Sequence, residues 1–343
     1  MANTPASPHL AVRPDWLALH REDILDPALP IVDPHHHLWD REGNPYFFFD
    51  LLRDIDSGHN IRATVAVEAG AMYRREGPAA MRPVGETEFV NGAAAMSASG
   101  EYGDCRVGAG IVGHADLLLG KRVLPVLEAL IRAGGGRFRG VRYINAWHPD
   151  PAARASLANP PPEILGSAAF RKGFAQLAPL GLSFDAWMYH TQLPELVNLA
   201  RAFPDTSIIL NHLGGAIGIG PYAGKRDSVF AEWSASLREL ARCPNIHVKI
   251  GGLGMRLFGF DFASRVHPPS SEDLAPTWRP YIDMCIETFG AERCMFESNF
   301  PVDKGTCSYA VLWNTFKRIS AAASPAEKRW LFSGTATKVY QLA

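Results

Sequence analysis

Short apolar runs alternate with longer stretches of helical periodicity along most of the chain. Eight of these runs have strand length, and several are apolar at nearly every position, which is typical of strands that are buried on both faces. They span residues 29–32, 63–69, 105–112, 140–144, 182–188, 207–210, 245–250 and 294–297. This alternation predicts an α/β fold, a closed (β/α)8 TIM-type barrel. An open doubly wound sheet is the alternative, although no G-x-G-x-x-G follows any of the strands.

Helical periodicity is clearest over residues 117–132, 168–177, 193–202, 229–241 and 281–289. A further helix begins at Ser324-Pro325-Ala326-Glu327, which has the pattern of a capping box. Two irregular stretches, 73–87 and 256–280, are rich in Pro, Gly and charge and follow strands directly. Loops after barrel strands face the active site, so both are candidate lids. We expect one domain over residues 1–343, with a short amino-terminal extension over residues 1–28.

Composition excludes several classes of protein. With 34 basic and 35 acidic residues, the net charge of −1 offers no broad field for nucleic acid or an anionic membrane. Five scattered cysteines without a C-x-x-C argue against a disulfide framework and a thiolate zinc site. The sequence contains no signal-peptide pattern and no apolar run long enough for a membrane span. We therefore expect a cytoplasmic protein that acts on a small molecule. The oligomeric state is open.

The first predicted strand ends in His35-His36-His37. Residues two apart on an extended chain point the same way, so His35 and His37 can converge on one ion while His36 turns away. Neutral imidazole is a good ligand for zinc and similar metals. A polar turn of histidines at the end of a strand is the structural alternative.

A second apolar strand, residues 207–210, is followed by Asn211, His212, Leu213 and two glycines. A histidine after a later barrel strand faces the same mouth as the first pair. His212 is therefore a candidate metal ligand or proton shuttle, although a histidine in such a position can also be purely structural.

These segments resemble the amidohydrolase superfamily, in particular its lactonase group with 2-pyrone-4,6-dicarboxylate lactonase, sugar lactonases and galactarolactone isomerase. The matching motifs are the D-x-H-x-H-x-W pattern at 33–39, R-G-V-R at 139–142, H-L-G-G at 212–215 and V-K-I-G-G-L at 248–253. The resemblance implies a barrel with a site at its carboxyl-terminal mouth. It also implies one divalent metal, zinc or manganese, held by His35, His37 and His212.

The last strand departs from this pattern. The family usually ends it with Gly-Ser-Asp-Trp-Pro, whereas here Asn299 stands in the place of the aspartate, which is commonly a ligand and general base. An amide cannot accept a proton at neutral pH, so metal-free operation becomes an alternative. Glu297, two residues earlier, points the same way and is a candidate relocated carboxylate. It can equally neutralise Lys249 in a buried pair.

Arg142, at the end of the fourth strand, is the candidate for gripping a substrate carboxylate; a structural salt bridge is its alternative. Further candidates for substrate binding could instead be packing residues: Trp39, Tyr46, Trp187, Tyr189, His190 and Lys249. The preferred function is hydrolysis of a small, carboxylated lactone. A metal-independent lactone isomerase or decarboxylase is a second interpretation, and a non-catalytic ligand-binding barrel is a third.

Overall fold

The computed structural model describes residues 9–156, 158 and 160–342. Eight strands form one parallel sheet in chain order, β1 to β8. Backbone bonds between the first and last strand regions close it, since His37 N donates to Phe300 O and Asn299 N donates to His35 O, each at 2.8 Å. The protein is therefore a (β/α)8 barrel. The strands are β1 (Pro30–His36), β2 (Asn60–Val67), β3 (Arg106–Gly113), β4 (Phe138–Ile144), β5 (Ser183–Trp187), β6 (Ile208–Leu210), β7 (Ile246–Lys249) and β8 (Cys294–Met295).

The helices cover the outside of the barrel and bury a large apolar core against the outward faces of the strands. In chain order they are α1 (Pro14–Leu17), α2 (Phe48–Ile55), α3 (Val84–Ala98), α4 (Leu124–Ala133), α5 (Ala168–Phe174), α6 (Leu193–Ala202), α7 (Arg226–Ala241), α8 (Ser271–Phe289), α9 (Tyr309–Ile319), α10 (Pro325–Arg329) and α11 (Thr335–Val339). Among the helices of the described chain, none combines the length and apolar composition that crossing a membrane requires.

A second, smaller core fills the inside of the barrel. Inward side chains of the strands, among them Val65, Ile209 and Met295, pack against Tyr340 and Leu342 from the end of the chain. The segment that follows α11 therefore closes the end of the barrel opposite the candidate site.

Several helix boundaries differ from the predicted ones, and α3 begins at Val84, inside the stretch predicted to be irregular up to residue 87. The predicted helix 117–132 contains a kink at Gly120 (φ 60°, ψ −138°), and regular α-helix begins only at Leu124. The irregular chain predicted up to residue 280 ends earlier, because α8 begins at Ser271 behind a capping box of Ser270 and Asp273. The capping box of Ser324 and Glu327 is confirmed, with both reciprocal hydrogen bonds formed.

The amino-terminal extension packs along the segment between β7 and α8. Trp16 Nε1 donates to the carbonyls of Arg265 and Val266, and Arg13 Nη2 donates to Ala263 O. We call residues 9–22 the amino-terminal strap. It brings His9 to the carboxyl-terminal mouth of the barrel, where the ring lies parallel to Trp39 at 6.2 Å between centroids.

Candidate active site

Alternation along the strands carries the polar side chains of the site into the barrel. On β5 and directly after β8 the apolar residues Phe184, Ala186 and Phe296 face the helices, so their neighbours face inward. A register shift between Asp33 and His36 interrupts the β1 ladder at Pro34, a residue that cannot donate to it. The side chains that reach the interior near its mouth are His35, His37, Arg142, Asp185, Trp187, His212, Lys249 and Glu297.

Three imidazole rings meet at this end of the barrel. The His35 ring centroid lies 4.6 Å from that of His212 and 4.9 Å from that of His37. Trp187 meets His212 edge to face at 4.8 Å, and Trp39 stacks on His37 at 5.4 Å. Side chains that are remote in sequence therefore form one cluster with an aromatic wall.

A single carboxylate, Glu297, joins two of these rings. Its Oε1 accepts from His212 Nδ1 at 2.7 Å and from the His212 backbone N–H at 3.2 Å. Its Oε2 lies 2.8 Å from His35 Nδ1. All of these groups are buried. Because Nδ1 of His212 carries the donated proton, its Nε2 keeps a lone pair that is available for chemistry.

Lys249 pairs with a different carboxylate from the one considered in the sequence analysis. Its Nζ donates to Asp185 Oδ2 at 2.7 Å and lies 3.3 Å from His35 Nδ1. Asp185 is further held by the Tyr340 hydroxyl at 2.9 Å and by Asn211 Nδ2, also at 2.9 Å. Glu297 therefore pairs with His35 and His212 and not with Lys249.

Arg142 is bound to groups of the protein itself. Its Nε donates to Glu68 Oε1 at 2.7 Å, its Nη2 donates to the Glu68 carbonyl, and its Nη1 lies 3.3 Å from His35 Nε2. The guanidinium group therefore orients His35 from the side opposite Glu297.

Burial favours the neutral form of each histidine in the cluster. Burial, followed by the charge of Lys249, holds the pKa of His35 well below its usual value. Burial and then Arg142 do the same to the pKa of His37. Burial also lowers the pKa of His212, while the Glu297 carboxylate opposes that shift. Each ring can thus accept a proton only where a carboxylate stabilises the resulting cation.

Two residues beside the cluster adopt left-handed backbone conformations that are unusual for side-chain-bearing residues, His212 (φ 52°) and Asn299 (φ 54°). The glycine pair after β7 makes room for His212 and for Glu297. A Cβ on Gly252 would lie 2.6 Å from His212 Nδ1, and one on Gly251 would lie 2.5 Å from Glu297 Cγ. The V-K-I-G-G-L motif is therefore a steric requirement of the histidine and carboxylate positions.

Asn299 is held by a carboxyl group that the sequence analysis did not consider. Its Nδ2 donates to Asp303 Oδ1 at 2.8 Å, and Asp303 Oδ2 accepts from Gly254 N at 2.9 Å. Burial raises the pKa of Asp303 to about 8. The amide nitrogen is committed to Asp303, which leaves Asn299 Oδ1 as the acceptor of this side chain.

A cavity of about 360 Å³ opens above the cluster. Of the residues proposed from the sequence, it is lined by His37, Trp39, Arg142, Trp187, His212 and Asn299. His9, Arg41 and Glu68 also line it and were missed. His9 lies on the strap and Arg41 in the loop after β1, where no periodic pattern marks them, whereas Glu68 lies within the predicted run 63–69 and directly follows β2. A larger surface concavity of about 550 Å³ between α6 and α7 is remote from the cluster.

Comparisons with known proteins show the family to which the chain belongs. The amidohydrolase family model matches residues 32–342. The chain belongs to the amidohydrolase family. Over 328 residues it is 34% identical to an uncharacterized protein, y4mH, of Sinorhizobium fredii, covering 92% of this chain and 99% of that protein.

Two further relatives of this amidohydrolase carry chemical information. An L-fucono-1,5-lactonase of Burkholderia multivorans is 24% identical, covering 91% of this chain and 96% of that enzyme. A crystal structure of an amidohydrolase from Burkholderia multivorans, with bound zinc, superimposes with a TM-score of 0.69 at 25% identity, covering 91% of this chain and 99% of that one. Together with the family match, these relatives show that the protein is a hydrolase related to lactonases.

The donor set of this amidohydrolase fits a divalent ion. One ligand atom each from His35, His212 and Glu297 lies within 4.8 Å of the others. Glu297 Oε2 is buried and forms no hydrogen bond of regular geometry, despite its closeness to His35, so it is an acceptor suited to a cation. His37 is outside this group of three, and its Nδ1 lies 2.8 Å from Val67 O.

Four of the proposed substrate-binding residues lie outside the cavity, one of them Lys249, which pairs with Asp185. Tyr46 donates its hydroxyl to Asp54 Oδ2 at 2.6 Å. The Tyr189 hydroxyl accepts from Ala155 N at 2.8 Å, so this ring supports the loop after β4. His190 Nδ1 accepts from Ile217 N at 3.3 Å. Each of the four is buried against its own neighbours.

Proposed function

We propose that this amidohydrolase opens a small, carboxylated lactone by hydrolysis, with His212 and Glu297 as the proton-transfer pair. The observation that carries the proposal is the 2.7 Å contact between Glu297 Oε1 and His212 Nδ1 beneath the cavity. A buried carboxylate behind an imidazole fixes the ring tautomer and stabilises the imidazolium that forms during proton transfer. The lactonase relative supports the same class of reaction.

In the proposed reaction, a water molecule attacks the lactone carbonyl while His212 Nε2 takes its proton. The neutral state of the ring at rest makes it a base, and Glu297 stabilises its charged state. His212 then returns the proton to the ring oxygen of the lactone as the bond between that oxygen and the carbonyl carbon breaks. The product is the open hydroxy acid.

Two other side chains of the cavity support this reaction. The Arg142 guanidinium supplies positive charge for the oxyanion of the tetrahedral intermediate. Asn299 Oδ1 accepts a hydrogen bond from the attacking water, since its Nδ2 is held by Asp303. His35 contacts Glu297, Arg142 and Lys249. It thereby holds the Glu297 carboxylate in its position against His212.

A divalent ion, where it binds, would be held by His35, His212 and Glu297 and would polarise the carbonyl. Lys249 Nζ lies 3.3 Å from His35 Nδ1, and Arg142 Nη1 lies 3.3 Å from His35 Nε2. These positive charges oppose the binding of a divalent ion at His35. We therefore expect less than one equivalent of zinc or manganese in protein purified without chelator or affinity nickel. Elemental analysis measures this, and a full equivalent that is required for turnover would contradict the expectation.

The test of the function is a panel of five- and six-membered lactones, with and without carboxylates and including L-fucono-1,5-lactone, followed by pH-stat. Hydrolysis releases acid and adds the mass of water to the product. Replacing His212 with Asn should lower turnover by about 100-fold or more, the usual contribution of a positioned acid–base group. The control, His20→Asn, alters a histidine whose Nε2 pairs with Glu22 outside the cavity.

The other candidate functions appear as distinct outcomes of the same panel. An isomerase changes neither pH nor product mass, and a decarboxylase lowers product mass by carbon dioxide. Binding of the panel without any turnover would indicate the non-catalytic barrel. Each of these results would contradict hydrolysis.

The five cysteines are free and buried, which suits the reducing cytoplasm as the proposed compartment.

A further inference from the structure

The cavity contains a cation that the proposed reaction does not use. Among the described residues that line it, the charged side chains are Arg41, Arg142 and Glu68. Arg142 forms an ion pair with Glu68, and below them Lys249 forms one with Asp185. Within the described part of the chain, Arg41 has no such carboxylate partner.

The Arg41 guanidinium is held in place by two contacts, and one of its nitrogens is left without a hydrogen-bond acceptor. Its guanidinium carbon lies 3.7 Å from the centroid of the Trp39 ring, so the planar group is stacked on the indole. Its Nη2 donates to Ala69 O at 3.0 Å. Its Nη1 is buried and has no hydrogen-bond partner. A buried N–H of a cation without a hydrogen-bond partner is costly, and Arg41 lines the cavity, so an anionic ligand bound there can supply the missing acceptor.

Arg142 is poorly placed for the same task. Its Nε, Nη1 and Nη2 are all directed at Glu68 or His35. Gripping a substrate carboxylate with two parallel hydrogen bonds would require it to release one of these partners. The sequence predicts this role for Arg142 because the fourth strand delivers it to the mouth, but that position carries no information on its buried partners.

We propose that Arg41, stacked on Trp39, is the group that recognises an anionic substituent of the substrate, a carboxylate carried by the lactone. This inference rests on the proposed function and specifies its substrate class. Arg142 remains with the reacting carbonyl, and Arg41 determines specificity.

The positions also restrict where the carboxylate lies on the substrate. Arg41 contacts one indole, and that indole stacks on His37 at 5.4 Å between centroids. The anionic group therefore sits about one aromatic ring away from the histidine cluster. A cavity of about 360 Å³ is near the lower end for small-molecule sites. Both features favour a single lactone ring with the carboxylate on a ring carbon or on the atom next to it.

The experiment compares two lactones of equal ring size, 5-oxotetrahydrofuran-2-carboxylate and its neutral counterpart 5-(hydroxymethyl)oxolan-2-one. For the wild-type enzyme we expect a higher kcat/KM with the carboxylate. Replacing Arg41 with Met should lower kcat/KM for the carboxylate by about 10- to 100-fold, mainly through KM, the range for a hydrogen bond to a charged group. The neutral lactone should change by less than about threefold.

Two variants separate recognition from a structural effect. Arg41→Lys keeps the charge without the planar stack, and it should retain part of the carboxylate preference. Arg242→Met removes an exposed arginine after α7 that pairs with Glu239, and it should leave both substrates unchanged. Equal losses on both lactones in Arg41→Met would overturn the proposal, as would a carboxylate preference that is lost in Arg142→Met and kept in Arg41→Met.

Binding of unreactive probes keeps this test independent of turnover. Tetrahydrofuran-2-carboxylate and tetrahydrofurfuryl alcohol differ in charge and cannot be hydrolysed, and titration calorimetry measures both. Tighter binding of the acid to wild-type than to Arg41→Met supports the inference even if no lactone is opened, in which case only the proposed function fails. Equal binding of the acid to both proteins, with lactones still hydrolysed, overturns the inference alone.

Discussion

Replacing Glu297 with Gln tests the proton-transfer pair most directly, since the change keeps the volume of a fully buried side chain and removes its charge. His212 Nδ1 lies 2.7 Å from Oε1, so the imidazolium formed during the reaction would lose its counter-charge. Two unit charges 4 Å apart interact by about 4 kcal/mol at an effective dielectric constant of about 20. We therefore expect kcat to fall by about a thousandfold, at about 1.4 kcal/mol for each factor of ten.

The assay is pH-stat hydrolysis of the best lactone of the panel, with thermal unfolding measured on the same preparation. KM should stay within about threefold, because Glu297 lies beneath the cavity and does not line it. Glu239→Gln is the matched control, since Glu239 is exposed on α7 and pairs with Arg201. A correctly folded Glu297→Gln enzyme whose kcat stays within tenfold of wild type would refute the role assigned to this carboxylate.

Two further predictions concern the packing around the site and acid stability. Gly252→Ala should reduce kcat by tenfold or more, because its Cβ would lie 2.6 Å from His212 Nδ1; Gly224→Ala has nearly the same φ but open space, so it controls for backbone strain and should keep full activity. Burial lowers the pKa of His59 to about 4, so the folded protein holds this ring neutral while the unfolded chain protonates near pH 6.5. The resulting stability is present above pH 6.5 and is lost as the pH falls towards 4, and His59 alone should contribute about 3 kcal/mol of this loss. Protonation of His59 also removes the acceptor of Lys317, whose Nζ lies 2.9 Å from His59 Nδ1. Urea unfolding at pH 6.5 and at pH 4 measures the loss of stability. An unchanged urea midpoint would contradict the role given to His59.

The barrel could be predicted from the sequence because each strand is a short apolar run, a local signal that survives without knowledge of its neighbours. The start of α8 could not, since Pro276 and Pro280 resemble loop residues. Ser270 and Asp273, three residues apart before an apolar stretch, were the available signal.

Within the site, the convergence of the histidines follows from their places at strand ends, whereas the pairing of charges does not. Lys249 was considered as a partner of Glu297 on the adjacent strand, yet it contacts Asp185, two strands away across the inside of the barrel. Such pairs depend on the tilt and closure of the sheet, which one sequence does not specify. The position of His9 depends in the same way on how the strap packs.

The contact between Tyr340 and Asp185 has a consequence for synthesis of the protein. Tyr340 holds the carboxylate that pairs with Lys249, which in turn touches His35. Tyr340 follows Asp185 by 155 residues, so a ribosome makes the carboxylate well before the hydroxyl that holds it. Asp185 and Lys249 therefore lack this hydrogen bond until Tyr340 has been made and packed, and catalytic competence should arise only after that step.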